Sequence, residues 1–252
     1  MKHEHTSMRG IIYDLDGTLL DSLQDLGETA NELLADLGYQ TLPLFVYRDL
    51  VGNGIAELCR RSLALSLTLH QMVCFDDSGE AFLPGILEKV RDKTNRPQPD
   101  PSVVAAFIED FYSRYETNWR RNTRPFPDVI ELLEIVGNKG YRQGLLSNKA
   151  DPFVKAIADR YFSPSLFDVI LGQLAHIPSK PSPQAPLMIA QEWQLPPESI
   201  LFIGDSDVDM QTALAANMVP VAVTWGFRDR QELARAGAAY ILETPFDLLD
   251  LL

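Results

Sequence analysis

Apolar positions follow two rhythms along the chain. The run Gly10-Ile11-Ile12-Tyr13 is apolar throughout and stops abruptly at Asp14-Leu15-Asp16-Gly17-Thr18. That pattern predicts a buried strand, ended by polar residues and a glycine. From about Ser22 to Leu37 the apolar residues recur at helical spacing (Leu26, Ala30, Leu33, Leu34, Leu37), and Gly38 closes the segment. The stretch from Gly38 to about Thr123 also reads as helical. Its clearest segments are Leu50 to Leu69 and Val103 to Tyr115, and no strand is predicted in it. Asp92 to Pro101 is polar, carries Pro97, Pro99 and Pro101, and reads as a loop.

After Pro125 the rhythm changes to alternating helix and strand. A helix is predicted from about Asp128 to Asn138, then a strand at Gln143 to Ser147 and a helix near Pro152 to Arg160. A strand at Asp168 to Leu171, a helix near Pro183 to Gln194 and a strand at Ser199 to Ile203 follow. A helix after Ser206, a strand at Val219 to Thr224 and a last strand near Ala239 to Leu242 complete the pattern. Such alternation predicts a parallel sheet with right-handed crossovers. The fold class is therefore α/β, with a discontinuous core (1–21 and 124–252) interrupted by a helical cap (22–123).

Composition adds limits. The 252 residues are 46% hydrophobic and 23% charged, ordinary values for a globular chain of one large or two modest domains. Cys59 and Cys74 lie in no metal-type spacing and suggest no disulfide framework. No apolar stretch is long enough to span a bilayer, which predicts no membrane partner. The polar segment Met1 to Gly10 lacks the apolar middle of a secretory leader, so a cytoplasmic setting is expected. The formal net charge is -13, and no basic stripe offsets it, which argues against nucleic acid as a partner. An acidic protein that handles an anionic substrate must gather positive charge locally, from a few side chains or a bound cation.

Ligands of open parallel sheets sit at the carboxyl ends of the strands. Three predicted strands end there in polar residues: Asp14 and Asp16; Ser147 and Asn148; and Gly204-Asp205-Ser206-Asp207-Val208-Asp209. Lys180 lies in the loop before an intervening helix. Each feature has a plainer reading. Asp-Gly is a common turn pair, Ser206 with Asp209 matches a helix capping box, and Ser147-Asn148 suits a helix cap. Lys180 is harder to explain, because a cation beside the start of a helix opposes the macrodipole.

Taken together, these residues have one chemical meaning. Several carboxylates at one point repel each other unless a cation is bound, and oxygen-only ligands favour Mg²⁺. Asp14 and Asp205 would hold it through their side chains and Asp16 through its backbone carbonyl, with Ser206 and Asp209 supporting. Asp14 is the expected nucleophile and Asp16 the acid and base. Ser147, Lys180 and the amides of Leu15, Gly17 and Thr18 would stabilise the transferring phosphoryl group, with Asn148 beside them.

These residues resemble the haloacid dehalogenase superfamily. DLDGTL (Asp14 to Leu19) matches its first motif and Ser147-Asn148 its second. Lys180-Pro181 looks like the third, and GDSDVD (Gly204 to Asp209) like the fourth. The resemblance covers essentially the whole chain. It implies a Rossmann-like core of five or more strands, an inserted helical cap, Mg²⁺ dependence and the roles given above. Members that remove halide lack an acid at the position of Asp16, whereas an alkoxide leaving group needs a proton. That points to a phosphatase rather than a dehalogenase.

The cap adds a second clue. Val51-Gly52-Asn53-Gly54, followed by Leu58-Cys59-Arg60-Arg61, is similar to the cap loop of phosphoglycolate phosphatases, as are Tyr141 to Lys149 and Val223 to Phe227. By that resemblance Gly52, Asn53 and Gly54 would face the non-phosphate end of the substrate. The plainer reading is a tight turn between helices. Two features depart from simpler members: the extra length from about Leu65 to Pro99, and Pro127-Asp128 where relatives often carry Pro-Gly.

The expected enzyme hydrolyses a small phosphorylated metabolite, 2-phosphoglycolate first, as a monomer or homodimer. The alternatives are a β-phosphoglucomutase-like phosphomutase, or a phosphatase of another sugar phosphate, a nucleotide or pyrophosphate. A non-catalytic regulator, or a phosphonate-cleaving enzyme using Lys89 or Lys93, fits less well.

Overall fold

A computed structural model of the chain describes residues 8–73 and 97–252, with backbone only for 70–73. The apolar run Gly10–Tyr13 forms strand β1, buried at every position, because neither of its faces meets solvent in a parallel sheet. Six strands make that sheet: β1, β4 (Arg142–Ala150), β5 (Val169–Gln173), β6 (Ile200–Gly204), β7 (Val219–Val223) and β8 (Tyr240–Leu242). Their order is β5-β4-β1-β6-β7-β8, and every pairing is parallel. This is the doubly wound α/β architecture that the alternating pattern predicts, with a helical insertion after the first strand.

The strand order decides where chemistry can occur. β4 and β6 flank β1, so the polar residues that follow these three strands emerge side by side at one edge. The packing beneath them is apolar. Ile12, Leu146, Ile189, Trp193 and Phe202 share one buried cluster, and the Trp193 ring packs so closely on β1 and β4 that a Cβ at Gly10 or Gly144 would lie 2.9 or 3.1 Å from it.

The chain separates into two compact units, residues 1–21 with 124–252, and residues 22–123. In the first, two short strands missed by the periodicity, β2 (Leu20–Asp21) and β3 (Arg124–Pro125), pair antiparallel where the chain leaves and returns. Two-residue strands are too short to give a hydrophobic period. The helices of this unit are α5 (Val129–Asn138), α6 (Asp151–Tyr161), α7 (Gln184–Trp193), α8 (Asp207–Ala215) and α9 (Arg230–Arg235). The last is a six-residue helix capped by Asp229, again too short to register as a pattern.

Among its described residues, the regular elements of the second unit are all helices. It contains α1 (Leu23–Asp36), α2 (Tyr47–Leu50), α3 (Ile55–Val73) and α4 (Pro101–Asn118). Leu50 does not begin the long helix, as the apolar spacing suggests. Gly52 and Gly54 both take positive φ (117° and 84°) and break the chain into α2 and α3. Pro101 is not loop either: it opens α4, with the Asp100 side chain capping the Ser102 amide. Most of the extra segment from Leu65 to Pro99, with Cys74, Lys89 and Lys93, lies outside the described residues.

Within this unit Asp25, in the first turn of α1, is buried and accepts hydrogen bonds from both backbone and side chain of Asn122 and Thr123, at 2.8–3.0 Å. One carboxylate thus ties together the two ends of the inserted segment. No helix among the described residues is long and apolar enough to cross a membrane.

Candidate active site

Asp14 is the first residue after β1. Its amide donates to the Ile203 carbonyl of β6 (2.8 Å), which continues the sheet pairing for one more residue and fixes where its side chain emerges. The side chain is buried, and one oxygen meets the Lys180 ammonium at 2.8 Å. Lys180 is itself buried and also contacts Asp209 at 2.7 Å, with its Nζ 5.8 Å from the centre of the Phe202 ring. Local sequence alone shows no reason for a lysine to stand before a helix. Two carboxylates within 3 Å supply one.

Asp209 has two tasks. One oxygen faces Lys180, and the other accepts from the amide and hydroxyl of Ser206, closing the capping box of α8. The capping box of α8 is therefore present, and the same residues form one wall of the carboxylate cluster. Asp205, immediately after β6, accepts from the Phe227 amide at 2.7 Å and lies 3.5 Å from the Thr18 hydroxyl. Ligand oxygens of Asp14, Asp205 and Asp209 all fall within 4.8 Å of one another.

Such crowding of buried anions shows in their protonation. Burial first, then the Asp209 and Asp205 charges, hold the Asp14 carboxyl well above the usual carboxylate range, against the pull of Lys180. Burial and Asp209 push Asp205 up to about 7, opposed by the Phe227 amide, Arg228 and Lys180. Burial works against the charged form of Lys180, yet Asp14 and Asp209 outweigh it and raise its pKa above the usual lysine value.

Three carboxylates and one ammonium leave a charge of two negative units if all are ionised, which is what a divalent cation would offset. The donors are all oxygens, the chemistry that suits Mg²⁺. Asp209 is already engaged by Lys180 and Ser206, so Asp14 and Asp205 are the better side-chain ligands, and the residues present fit the ion.

The remaining predicted residues fall around this cluster. Gly17 takes φ 89°, and a Cβ there would lie 2.3 Å from an Asp205 oxygen, so only glycine fits the turn after Asp16. Ser147 and Asn148 lie in the buried run of β4 that extends from Gln143 to Lys149. The Asn148 side-chain amide donates to the Lys180 carbonyl (3.1 Å), and its oxygen accepts from the Lys180 amide (2.8 Å). Its side chain thus holds both the carbonyl and the amide of Lys180. The cluster is built wholly from the first unit. Gly52, Asn53 and Gly54 belong to the second, where they form the turn into α3.

Two contributors were not picked out from sequence as site residues. Lys149, buried, places its ammonium 2.7 Å from an Asp16 oxygen. The other is the segment after β7. The Trp225 indole donates to the Thr18 carbonyl (2.9 Å), and Gly226 packs so closely on Asp205 that a Cβ would lie 2.3 Å from it. This segment clamps both the loop after β1 and Asp205. Its string Thr224-Trp225-Gly226-Phe227 was visible as a resemblance, but nothing in its spacing revealed a clamp.

Comparison with known proteins bears on this geometry. A family model of haloacid dehalogenase-like hydrolases matches residues 11–223. Phosphoglycolate phosphatase of Pseudomonas syringae pv. tomato is 30% identical over 233 residues, covering 92% of this chain and 75% of that protein. Phosphoglycolate phosphatase of Vibrio parahaemolyticus is 27% identical over 240 residues, covering 95% and 94%. Among solved structures, that of a predicted phosphoglycolate phosphatase from Haemophilus somnus superposes with TM-score 0.82 at 25% identity, over 98% of this chain and 99% of that one.

Proposed function

Because the chain belongs to the haloacid dehalogenase-like hydrolases, we propose that it is an Mg²⁺-dependent phosphatase acting on a small phosphomonoester through a phospho-aspartate on Asp14, with 2-phosphoglycolate as its substrate. The observation that carries this reading is the placement of Asp14, buried at the end of β1 between Lys180 at 2.8 Å and the carboxylate of Asp205. A nucleophilic carboxylate must meet an anionic phosphoryl group, and such an environment offers both a local cation and a cation site. The names of the relatives favour 2-phosphoglycolate. The inserted helical unit is the cap of this reading, with the Gly52–Gly54 turn as its specificity element.

Asp14, Asp205 and the carbonyl of Asp16 are the groups that would hold Mg²⁺, whose charge lets a carboxylate approach a phosphate dianion. Asp14 then attacks phosphorus in line. The P–O bond to the leaving alkoxide breaks with its electron pair, and Asp16 supplies the proton that makes it an alcohol. In the second half Asp16 takes a proton from water as the water oxygen bonds to phosphorus. The acyl-phosphate bond breaks and returns its electron pair to Asp14, so one water is consumed and inorganic phosphate is released. Ser147, Lys180 and the amides of Leu15 to Thr18 are the groups available to the phosphoryl oxygens.

The test is phosphate release from a panel of 2-phosphoglycolate, sugar phosphates, nucleotides and pyrophosphate, with Mg²⁺ or with chelator. Mg²⁺-dependent release strongest on 2-phosphoglycolate is the expected result. A different preferred compound would keep the chemistry and remove the substrate. Absence of release from every compound would overturn the hydrolase reading in favour of a mutase.

A further inference from the structure

We propose that Lys149 is a positioning residue for Asp16, holding the carboxylate in the one orientation from which it can exchange a proton with the leaving group and with water. This inference rests on Asp16 being the acid and base of the proposed reaction.

The geometry is unusual for an incidental ion pair. The Lys149 side chain is 2% exposed and that of Asp16 12%, with 2.7 Å between Nζ and Oδ1. Ion pairs on the surface contribute little and are common. A lysine taken this far out of water is costly unless its charge is answered, so its partner is fixed by the fold rather than chosen by solvent. The two residues are 133 positions apart and come from the ends of neighbouring strands, β1 and β4.

The local backbone of β4 explains how the ammonium reaches Asp16. The pairing of β4 with β5 shifts register between Leu146 and Ala150, which re-aims the side chains of Ser147, Asn148 and Lys149. The three then divide the site. Asn148 grips the backbone of Lys180, and the Lys149 amide donates to the Ser147 hydroxyl at 3.2 Å. The Lys149 ammonium takes Asp16. Each of the two buried lysines thus serves a different carboxylate: Lys180 the nucleophile, Lys149 the residue two positions on.

Orientation matters here because Asp16 follows the strand end in a turn, where its side chain can choose among staggered rotamers. Proton transfer to the alkoxide as the P–O bond breaks, and from water as the second P–O bond forms, both need a carboxyl oxygen within hydrogen-bond reach of the moving proton. Anchoring Oδ1 on Lys149 fixes the plane of the group. Without it the carboxylate samples other orientations and both transfers slow, while the phosphate contacts that set binding are untouched.

The test is a kinetic double-mutant cycle on the Mg²⁺-loaded enzyme with an alkyl phosphomonoester, using Asp16→Asn, Lys149→Met and both together, with circular dichroism to verify each fold. Lys149→Met is expected to lower kcat by about 10- to 100-fold, the scale of a misplaced reacting group. KM should move by no more than about twofold, and adding Lys149→Met to Asp16→Asn should cost no more than about twofold further. A full additional loss in the Asp16→Asn background would overturn the proposal, since Lys149 would then act independently of Asp16. A raised KM with unchanged kcat would overturn it in favour of direct substrate contact. An active Asp16→Asn enzyme would overturn the acid–base reading and this one with it, so the two failures are distinct. If Lys149→Met does not fold, Lys149→Arg, which keeps the charge but moves it, enters the same cycle under the same criteria.

Discussion

Asp14 pays for its position with an unfavourable charge. It is buried beside Asp205 and Asp209, and Lys180 is the cation that contacts it, at 2.8 Å. Replacing it with asparagine removes the proposed nucleophile but also removes one of three crowded anions, while Lys180 keeps Asp209 as a partner. Asp14→Asn should therefore lower phosphate release by at least about a thousandfold, the scale of losing a nucleophile that works as part of a unit. In chelator the same variant should unfold no more easily than the parent. Phosphate assay and thermal melting on one preparation check both halves. Retained turnover would remove Asp14 as nucleophile, and a large drop in melting temperature would mean that its carboxylate is structural.

At the scale of elements, two helix starts carry strain or load that can be measured. Asp128 begins α5 at φ 64°, a left-handed conformation that explains why glycine suits this place. Aspartate tolerates it and β-branched residues do not. Asp128→Gly should stay within about 0.5 kcal/mol of the parent, whereas Asp128→Val should cost about 1–2 kcal/mol; denaturant midpoints would show the difference, and equal costs would refute it. Asp25 anchors the other start. Its carboxylate serves the backbone and side-chain donors of Asn122 and Thr123, so Asp25→Ala leaves those donors unanswered and should cost about 3 kcal/mol or more. A neutral result in denaturant unfolding would show that water replaces the carboxylate.

These two cases mark what the sequence could and could not reveal. The sheet was legible because buried parallel strands such as Ile200–Gly204 are unbroken apolar runs, and the helices between them are long enough to show a period. The clustering of Asp14, Lys180 and Asp205 followed from strand ends. Asp25 looked like any acidic residue in a first helical turn, since its partners lie 97 and 98 positions away. Lys149 was invisible for the same reason, whereas the turn at Gly52–Gly54 was legible from its two glycines even though apolar spacing runs on across it. Long-range polar pairing leaves no mark on local periodicity.

The whole molecule carries a net charge of -13, and among the described residues three carboxylates crowd together in a buried cluster. This gives stability a specific dependence on pH and metal. In the folded protein burial and the Asp209 charge push Asp205 up to about 7, against an ordinary value of 3.8. A carboxyl whose folded pKa is raised contributes most below its unfolded pKa, and that contribution is lost as pH rises towards the folded pKa. Between pH 4 and 7, then, this group should erode stability in chelator. Other carboxylates, Glu57 and Asp247 among them, are shifted down and act in the opposite sense at lower pH, so the comparison must be made against Asp205→Asn. The melting temperature of the parent minus that of Asp205→Asn should fall across this window in chelator and level off above it. On the proposed reading Mg²⁺ would bind the ionised carboxylates, so it should reverse the slope. At a hundred times its dissociation constant it adds about 2.7 kcal/mol to the parent, roughly 5–10 °C in melting temperature, and much less to Asp205→Asn. If Mg²⁺ stabilises the two proteins equally at pH 8, Asp205 does not hold the ion, and the buried cluster serves the fold instead.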